Sequence, residues 1–418
     1  MNDMTSRILI SLFLILALLP GLTDSARAEI GFAGFEAGFN TGYTENLLKD
    51  SSDYADSYRA ANLALNVYPI SMAEVKLTGN YTFYDGIPGL SNFVGGGGLT
   101  IIPLKETSPF SVYLSGNLHK RDYREGTLTV RNDEYNTTDI DGILSIGYRL
   151  RPNFRVRAGV TYKTTLYEET DYIDSSVSPV TITGIQNVSD KTERDFFAGF
   201  NWSLPGSNVL DVEGGFVRGN LQVVDPEQQG LIELDRGDTV AYNFLVDGDD
   251  LKAWYISPRI SRPLGKRSGL SITYSHRRFV DKDDSALVYG YSTGLQSPWV
   301  SSYEGDAVQI NVKTYLLEKM VISAGFTYMD KTYIDVLEMK TFKLPPNRVV
   351  DWLNKSFGWH ERSDQQRQAF LSLQVPIPTH SGLVLEPTAR LSYTSNSSTV
   401  EVYEYSDFTI STGINIRL

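Results

Sequence analysis

The sequence contains no cysteine and only four histidines among its 418 residues. The absence of cysteine excludes disulfide bonds, thiolate zinc sites, iron–sulfur clusters, cysteine nucleophiles and covalent haem attachment. Acidic residues outnumber basic ones by 50 to 38, for a formal net charge of −12, which disfavours binding along nucleic acid. Beyond the first 28 residues, no run of about 18 apolar residues remains that could form a transmembrane helix. We therefore expect no cofactor, no nucleic-acid partner and no membrane-spanning helix.

The first 28 residues have the organisation of a secretory signal peptide. Arg7 supplies a positive charge, residues 8–19 form a short apolar stretch, and Ala26-Arg27-Ala28 provides the small residues of a cleavage site. The apolar stretch is too short to span a bilayer. We expect cleavage after Ala28 and one domain over residues 29–418, with an uncleaved anchor as the alternative. The signal peptide alone leaves the periplasm, the outer membrane and the medium open as destinations.

The remainder of the sequence alternates polar and apolar residues in the manner of β-strands. Sixteen such stretches can be delimited, each near the ~9–11 residues of a tilted membrane strand. Seven short connectors, many with Pro or Gly, join them in pairs, and longer polar segments such as 219–250 separate the pairs. Short turns on one side and long loops on the other are typical of outer-membrane barrels.

This pattern predicts an all-β fold, a transmembrane antiparallel up-and-down β-barrel of about sixteen strands. Its short turns would be periplasmic and its long loops extracellular. Pro258 and Pro387 lie inside two of the predicted strands, where each removes a ladder hydrogen bond, so fourteen or eighteen strands remain compatible with the sequence. A secreted β-protein with a hydrophobic core is the alternative.

The alternation also assigns side chains to two faces of the predicted wall. Phe154 and Val156 share one face with the apolar residues that follow, whereas Arg155 and Arg157 share the other. Small and polar residues on that second face predict a wet interior. The residues predicted to line the pore are Lys76, Asp139, Asp141, Arg149, Arg155, Arg157, Lys163, Arg259, Arg277, Lys313, Glu386 and Arg390, together with the acids Glu36, Glu74, Asp211 and Glu213. They would either set a transverse field that mildly favours anions, with a basic wall facing scattered acids, or stabilise the wall as ion pairs.

The last stretch of the chain carries a family resemblance. Phe408, Ile410, Ile414, Ile416 and Leu418 fall on one face. This pattern resembles the C-terminal strand signal of Gram-negative outer-membrane β-barrel proteins, although the final aromatic common in that class is replaced by Leu418. The layout of the whole mature chain is porin-like. The resemblance implies residence in the outer membrane, contact with its lipids and lipopolysaccharide, and insertion by the outer-membrane assembly machinery.

A second, shorter resemblance lies near the start of the mature chain. The segment Tyr43-Thr44-Glu45-Asn46-Leu47 at a strand end, followed by a loop rich in Asp and Ser, resembles the opening of β-barrel porins from surface-polysaccharide export clusters. It covers only a few residues. It implies an export function as an alternative to passive diffusion.

Three functional hypotheses follow, none of them an enzyme. Ser275 is adjacent to His276, and His119 lies near Asp122, but no motif supports catalysis at either pair. The first is a channel for passive diffusion of small polar solutes. The second is an export barrel for a polysaccharide or other polymer, which predicts a lumen of single charge sign. The third is a sheath around a partner such as a cytochrome, which predicts poor conductance without that partner. A homotrimer or a periplasmic partner is compatible with this class.

Overall fold

The computed structural model describes residues 31–47, 55–88, 91–104, 108–123, 136–167, 191–233, 239–280, 303–316, 319–333, 363–379, 382–399 and 404–418. Within these ranges, no helix has the length and apolar character needed to cross a bilayer. The signal peptide predicted over residues 1–28 lies outside the described residues and stays a prediction.

Seventeen β-strands account for most of the described chain, and one of them has only two residues. The strands are β1 (Gly31–Thr44), β2 (Asp56–Ile70), β3 (Ala73–Tyr84), β4 (Asn92–Ile101), β5 (Phe110–Tyr123), β6 (Thr137–Arg151), β7 (Phe154–Tyr167), β8 (Lys191–Leu204), β9 (Asn208–Glu233), β10 (Thr239–Pro263), β11 (Ser268–Phe279), β12 (Tyr303–Leu316), β13 (Met320–Tyr333), β14 (Ser363–Gln374), β15 (Ile377–Pro378), β16 (Val384–Ser398) and β17 (Tyr405–Arg417). A 3₁₀ turn, Pro205–Ser207, connects β8 to β9.

The strands form one closed antiparallel sheet. Each long strand pairs with its neighbours in sequence, and β17 pairs back onto β1 from Glu36↔Arg417 to Thr44↔Thr409. The two residues of β15 pair with β16 next to the part of β16 that pairs with β14. Because β14 and β15 together occupy one position in the wall, the wall contains sixteen strands. Closure leaves no free sheet edge within the wall, as a bilayer requires. The predicted sixteen-stranded all-β barrel is confirmed.

The two prolines that left the strand number open lie within strands and interrupt the ladder only locally. Pro258 keeps its place opposite Val212 of β9, but the register between β10 and β11 skips from Ile256 to Arg259. Across that gap the hydroxyls of Ser257 and Ser275 lie 2.9 Å apart and link the two strands. Proline lacks the N–H that the ladder needs, so a side-chain contact takes over at this point.

Residues 219–250 differ from the sequence-based expectation of a long loop. Here β9 continues to Glu233 and β10 begins at Thr239. The two strands therefore form a hairpin that extends past the ends of their other neighbours, β8 and β11. β-branched residues such as Val223 and Val246 occupy paired positions there. Composition alone suggested a loop because acidic residues dominate this segment, yet backbone pairing in a hairpin tolerates them.

Large apolar side chains cover the outer face of the barrel. Leu63 is 51% exposed, Phe196 55% and Leu371 48%, although such residues are normally buried in water-soluble proteins. Few apolar side chains of the described residues are buried, namely Leu47, Ala60, Ala73, Val75, Phe197, Ala253 and Phe279. A secreted protein with a hydrophobic core does not have this distribution. It is the distribution of a barrel whose outer surface contacts lipid.

Aromatic rings lie toward both ends of the apolar surface. Tyr81, Tyr162 and Tyr393 are exposed toward the rim where the long connections begin. At the short-turn rim, the rings of Phe110 and Tyr148 pack with centroids 4.7 Å apart. Two aromatic girdles of this kind mark the membrane–water interfaces of a barrel.

The seam between the first and last strands ends in a buried hydrogen-bonded group, which we call the seam site (Thr44, Asn46, Asp407 and Thr409). The Asp407 carboxylate is 5% exposed. It accepts hydrogen bonds from the Thr44 hydroxyl at 2.6 Å, the Asn46 backbone N–H at 3.1 Å and the Thr409 hydroxyl at 3.0 Å. The segment Tyr43–Leu47, which carries the resemblance to export-cluster porins, therefore has a structural role in closing the barrel.

Candidate functional site

Polar residues occupy the inner face of the wall. Directly paired residues of adjacent strands point to the same side of a sheet, so the register follows one face around the barrel. Asp141 pairs with Lys163, Arg157 with Gly199, and Gly199 with Glu213. The same face continues through the other strands and carries every residue predicted to line the pore. That these side chains contact permeating solutes stays a prediction.

An ion-paired group lies on β7, β8 and β9. The Arg157 guanidinium forms a bidentate pair with Asp211, with both N–O distances 2.9 Å, and its Nη2 also contacts Glu213 Oε2 at 3.0 Å. Arg157 and these acids lie two strands apart, and Gly199 occupies the position between them. Because Gly199 has no side chain, the long arginine side chain can cross β8. The Asn201 amide donates a further hydrogen bond to Asp211 at 3.1 Å.

Tyr255 of β10 extends this group toward two more carboxylates. Its hydroxyl lies 2.9 Å from Asp195 Oδ2 and 3.2 Å from Glu213 Oε1, so one proton serves both acids. The ring crosses Gly215, where an added Cβ would lie 2.6 Å from Tyr255 Cε1. We call Arg157, Asp195, Asp211, Glu213 and Tyr255 the charged cluster.

Two further arginines flank the charged cluster, so that with Arg157 three cations lie near its three acids. Arg259 is the direct partner of Asp211, and Arg277 is the direct partner of Tyr255. The guanidinium of Arg277 also lies 5.8 Å from the centre of the Tyr303 ring. The acids of β8 and β9 thus lie between Arg157 of β7 on one side and Arg259 and Arg277 of β10 and β11 on the other. The expectation of a basic wall facing scattered acids stays a prediction; within this part of the wall, acids and arginines occupy neighbouring strands.

The short-turn rim beside the charged cluster contains a polar cavity of about 610 Å³. Arg149 and Arg155 are direct partners across β6 and β7, so two guanidinium-bearing side chains face each other on this part of the inner wall. Hydroxyl and amide groups complete the lining, from Ser111, Ser145, Asn153, Asn201 and Ser203. The cavity therefore offers positive charge and neutral hydrogen-bonding groups side by side.

The remaining predicted residues are distributed around the wall. Asp139 accepts a hydrogen bond from the Thr165 hydroxyl at 2.6 Å, and Asp141 accepts one from the Asn117 amide at 2.7 Å. Arg390 stacks on Phe370, with the guanidinium carbon 4.9 Å from the ring centre. Glu386 pairs with Arg417 at the short-turn end of the seam. Glu36, Glu74, Lys76 and Lys313 occupy inner-face positions elsewhere on β1, β3 and β12.

Sequence reasoning missed three contributors to the inner wall: Glu193, Asp195 and Tyr255. The first two lie in β8, which begins at Lys191 rather than at Phe196, where the apolar alternation becomes clear. A period-2 count carried back from Gly199 would have placed Asp195 and Glu193 on the inner face. Tyr255 lies within a predicted strand, but the sequence pattern does not indicate that the hydroxyl of an aromatic residue on the polar face donates to carboxylates.

The closed sixteen-stranded wall, the apolar outer band between aromatic girdles and the polar inner face define a closed antiparallel β-barrel with the outer surface of a membrane-spanning barrel. No protein-family model and no curated protein matches the chain. Among solved structures, it is similar to Acinetobacter baumannii OccAB1, with a TM-score of 0.47, 11% identity, and coverage of 94% of this chain and 99% of that one.

Two further solved structures are similar. A BenF-like porin from Pseudomonas fluorescens Pf-5 has a TM-score of 0.46 and 10% identity, covering 93% of this chain and 100% of that one. Pseudomonas aeruginosa OprD has a TM-score of 0.43 and 8% identity, covering 95% of this chain and 98% of that one.

Proposed function

We propose that the chain forms a passive channel for small hydrophilic solutes or ions across the outer membrane. The observation that carries the proposal is the inner wall itself, on which the charged cluster and the other residues predicted to line the pore lie. A barrel of this strand number leaves an aqueous lumen unless other chain fills it. Interleaved charges would orient dipolar solutes as they pass, and the arginines at the short-turn rim would favour anions there.

The mixed charge of the inner wall favours diffusion over polymer export. An export barrel for an anionic or cationic polymer would need a lumen of one sign, whereas Arg157 here lies between Asp211 and Glu213. Export of an uncharged polymer is not disfavoured by this mixed charge. A sheath for a redox partner would need an inner surface that holds a protein, and the described inner wall is hydrophilic rather than apolar.

The same proposal includes delivery to the outer membrane and assembly there. The residues of the suggested assembly signal lie on the outer face of β17, where Ile410 is 42% exposed, and at Leu418 directly after it, which is 61% exposed. Their backbone completes the seam, because the Leu418 N–H donates to the Phe35 carbonyl at 2.9 Å. A recognition role for this strand, cleavage after Ala28 and a homotrimeric state are parts of the proposal that need their own tests.

Swelling of proteoliposomes tests the function with uncharged solutes. We expect liposomes that contain the refolded full-length chain to swell in arabinose and glucose, more slowly in a trisaccharide, because an aqueous pore admits solutes by size. Liposomes with heat-denatured protein provide the control. Folded protein that gives no swelling above this control in any sugar would contradict an open channel.

A further inference from the structure

A second cavity lies along the inner side of the wall, mainly on β10 to β14, whereas the arginine-lined cavity lies on β5 to β8. Its volume is about 550 Å³, which is within the range of about 300–1,000 Å³ that small-molecule sites occupy. Five inner-face residues of its lining form what we call the neutral patch (Ser261, Ser271, Asn311, Ser323 and Phe370). No described residue that lines the cavity is acidic. The neutral patch therefore differs in chemistry from the charged cluster.

The wall around this cavity carries uncharged polar groups on its inner face. One row of direct partners runs from β10 to β16 through Ser261, Ser271, Asn311, Gly325, Phe370 and Ser392. The next inner row runs from β11 to β16 through Thr273, Gln309, Thr327, Gln368 and Thr394. Hydroxyl and amide groups both donate and accept hydrogen bonds. Since each hydroxyl of a sugar also does both, this surface is complementary to a sugar rather than to an ion.

Phe370 is the one aromatic residue in these two rows, and its side chain is partly exposed. A Cβ added at Gly325 would clash with the Phe370 ring and lie 2.6 Å from Asn311 Oδ1, so the ring and the amide approach each other across the glycine. The guanidinium carbon of Arg390 lies 4.9 Å from the ring centre, which brings N–H donors to the same place. The face of an aromatic ring is electron-rich and attracts C–H groups such as those of a pyranose. Together these groups can contact both the C–H groups and the hydroxyls of a sugar.

The cations beside the neutral patch lie too far apart to hold one anion together. Lys313 of β12 and Arg390 of β16 lie in one row and are separated by three strand spacings, which is about 14 Å at ~4.8 Å per strand. The Lys313 ammonium lies 5.5 Å from the centre of the Tyr315 ring, and the Arg390 guanidinium covers Phe370. An uncharged ligand therefore suits the patch better than a phosphate or a carboxylate.

We infer that the neutral patch is a binding site for a short uncharged saccharide inside the lumen. The C–H groups of one pyranose ring contact Phe370, and its hydroxyls exchange hydrogen bonds with Asn311 and with the serines of the patch. The site rests on the proposed channel function, because the sugar reaches the patch from an aqueous lumen. It adds a class of solute to that function, and this class differs from the anions that the arginines of β6 and β7 would favour.

Saturation-transfer NMR with maltose, an uncharged disaccharide, tests the site on the refolded full-length protein in a detergent without a sugar head group. We expect Phe370→Leu to weaken maltose binding about fivefold, because leucine still covers Gly325 but has no ring face. Asn311→Ala should weaken it about threefold through the loss of a hydrogen bond. The matched control is Phe326→Leu on the outer face of β13, where the ring is 42% exposed. Its affinity should remain within about twofold of the parent, because a lipid-facing ring does not meet solutes in the lumen.

Block of the ion current by maltose in a planar bilayer separates failure of the site from failure of the channel. Maltose should reduce the current of the parent more than that of Phe370→Leu. A protein that conducts ions but binds maltose equally well without the Phe370 ring, or does not bind it at all, would overturn the sugar site and leave the channel in place. A silent protein that binds maltose through Phe370 would support the site and contradict the open channel. Much tighter binding of glucuronate than of glucose would overturn the assignment to an uncharged ligand, since charge-assisted hydrogen bonds are the stronger ones.

Discussion

Replacing Arg157 with alanine is expected to shift the selectivity of the channel toward cations by roughly fivefold in the permeability ratio, because a unit charge a few ångströms away in water is worth about 1 kcal/mol. The substitution removes a positive charge and also releases two carboxylates, since Arg157 is within 3.0 Å of both Asp211 and Glu213. The measurement is the reversal potential of the inserted protein under a salt gradient.

Arg155→Ala is the matched comparison for Arg157→Ala. Arg155 lies on the same strand and the same face, and the ion pairs of the described residues do not include it. Its removal should change selectivity in the same direction but less, and the double variant Arg155→Ala with Arg157→Ala should shift it furthest. Equal reversal potentials in the parent and the double variant would remove both residues from the permeation pathway.

Replacing Asp407 with alanine is expected to lower the free energy of unfolding by about 3 kcal/mol, since a buried carboxylate that accepts several hydrogen bonds leaves its donors unpaired when it is removed. The affected donors are the Thr44 hydroxyl and the Asn46 N–H, which hold the first strand to the last. Urea unfolding in detergent, followed by tryptophan fluorescence, measures the change.

Asp122→Ala supplies the control for the seam site. Its carboxylate pairs with Lys120 at 2.9 Å on the outer surface, with side-chain exposures of 43% and 27%. Exposed ion pairs contribute about 0–1 kcal/mol, so this variant should unfold close to the parent. Asp407→Asn keeps an acceptor and should fall between the two. An Asp407→Ala barrel as stable as Asp122→Ala would mean that the seam does not depend on this site.

The fold could be predicted because polar and apolar side chains alternate every two residues along the whole length of a barrel strand. Arg155 and Arg157 alternate with Phe154 and Val156, and one residue of slip would have exchanged the faces. The alternation of polar and apolar residues did not predict the outer part of the β9–β10 hairpin, which extends beyond the strands on either side of it. The extension of β9 to Glu233 depends on a partner strand, β10, rather than on alternation within the segment.

The sequence predicted which residues of the candidate site face the inside of the barrel, but it did not predict which of them contact each other. Alternation places Arg157, Asp211 and Glu213 on the inner wall, yet it carries no information about side-chain reach. The contact across two strands depends on Gly199 leaving the intervening position open. Likewise, the sequence alone gives no reason for Asp407 to bind residues near position 44, since the two meet only when the ends of the chain close the barrel.

Single-channel recording of the refolded full-length protein in a planar bilayer tests the central claim most directly. An open channel predicts stepwise increases in current that scale with salt concentration, with a reversal potential in the parent that moves when Arg157 is replaced. A protein that changes its gel mobility on heating, as a folded barrel does, but stays electrically silent would contradict the claim. The barrel would then be filled or require a partner, and the sheath and export hypotheses would take precedence.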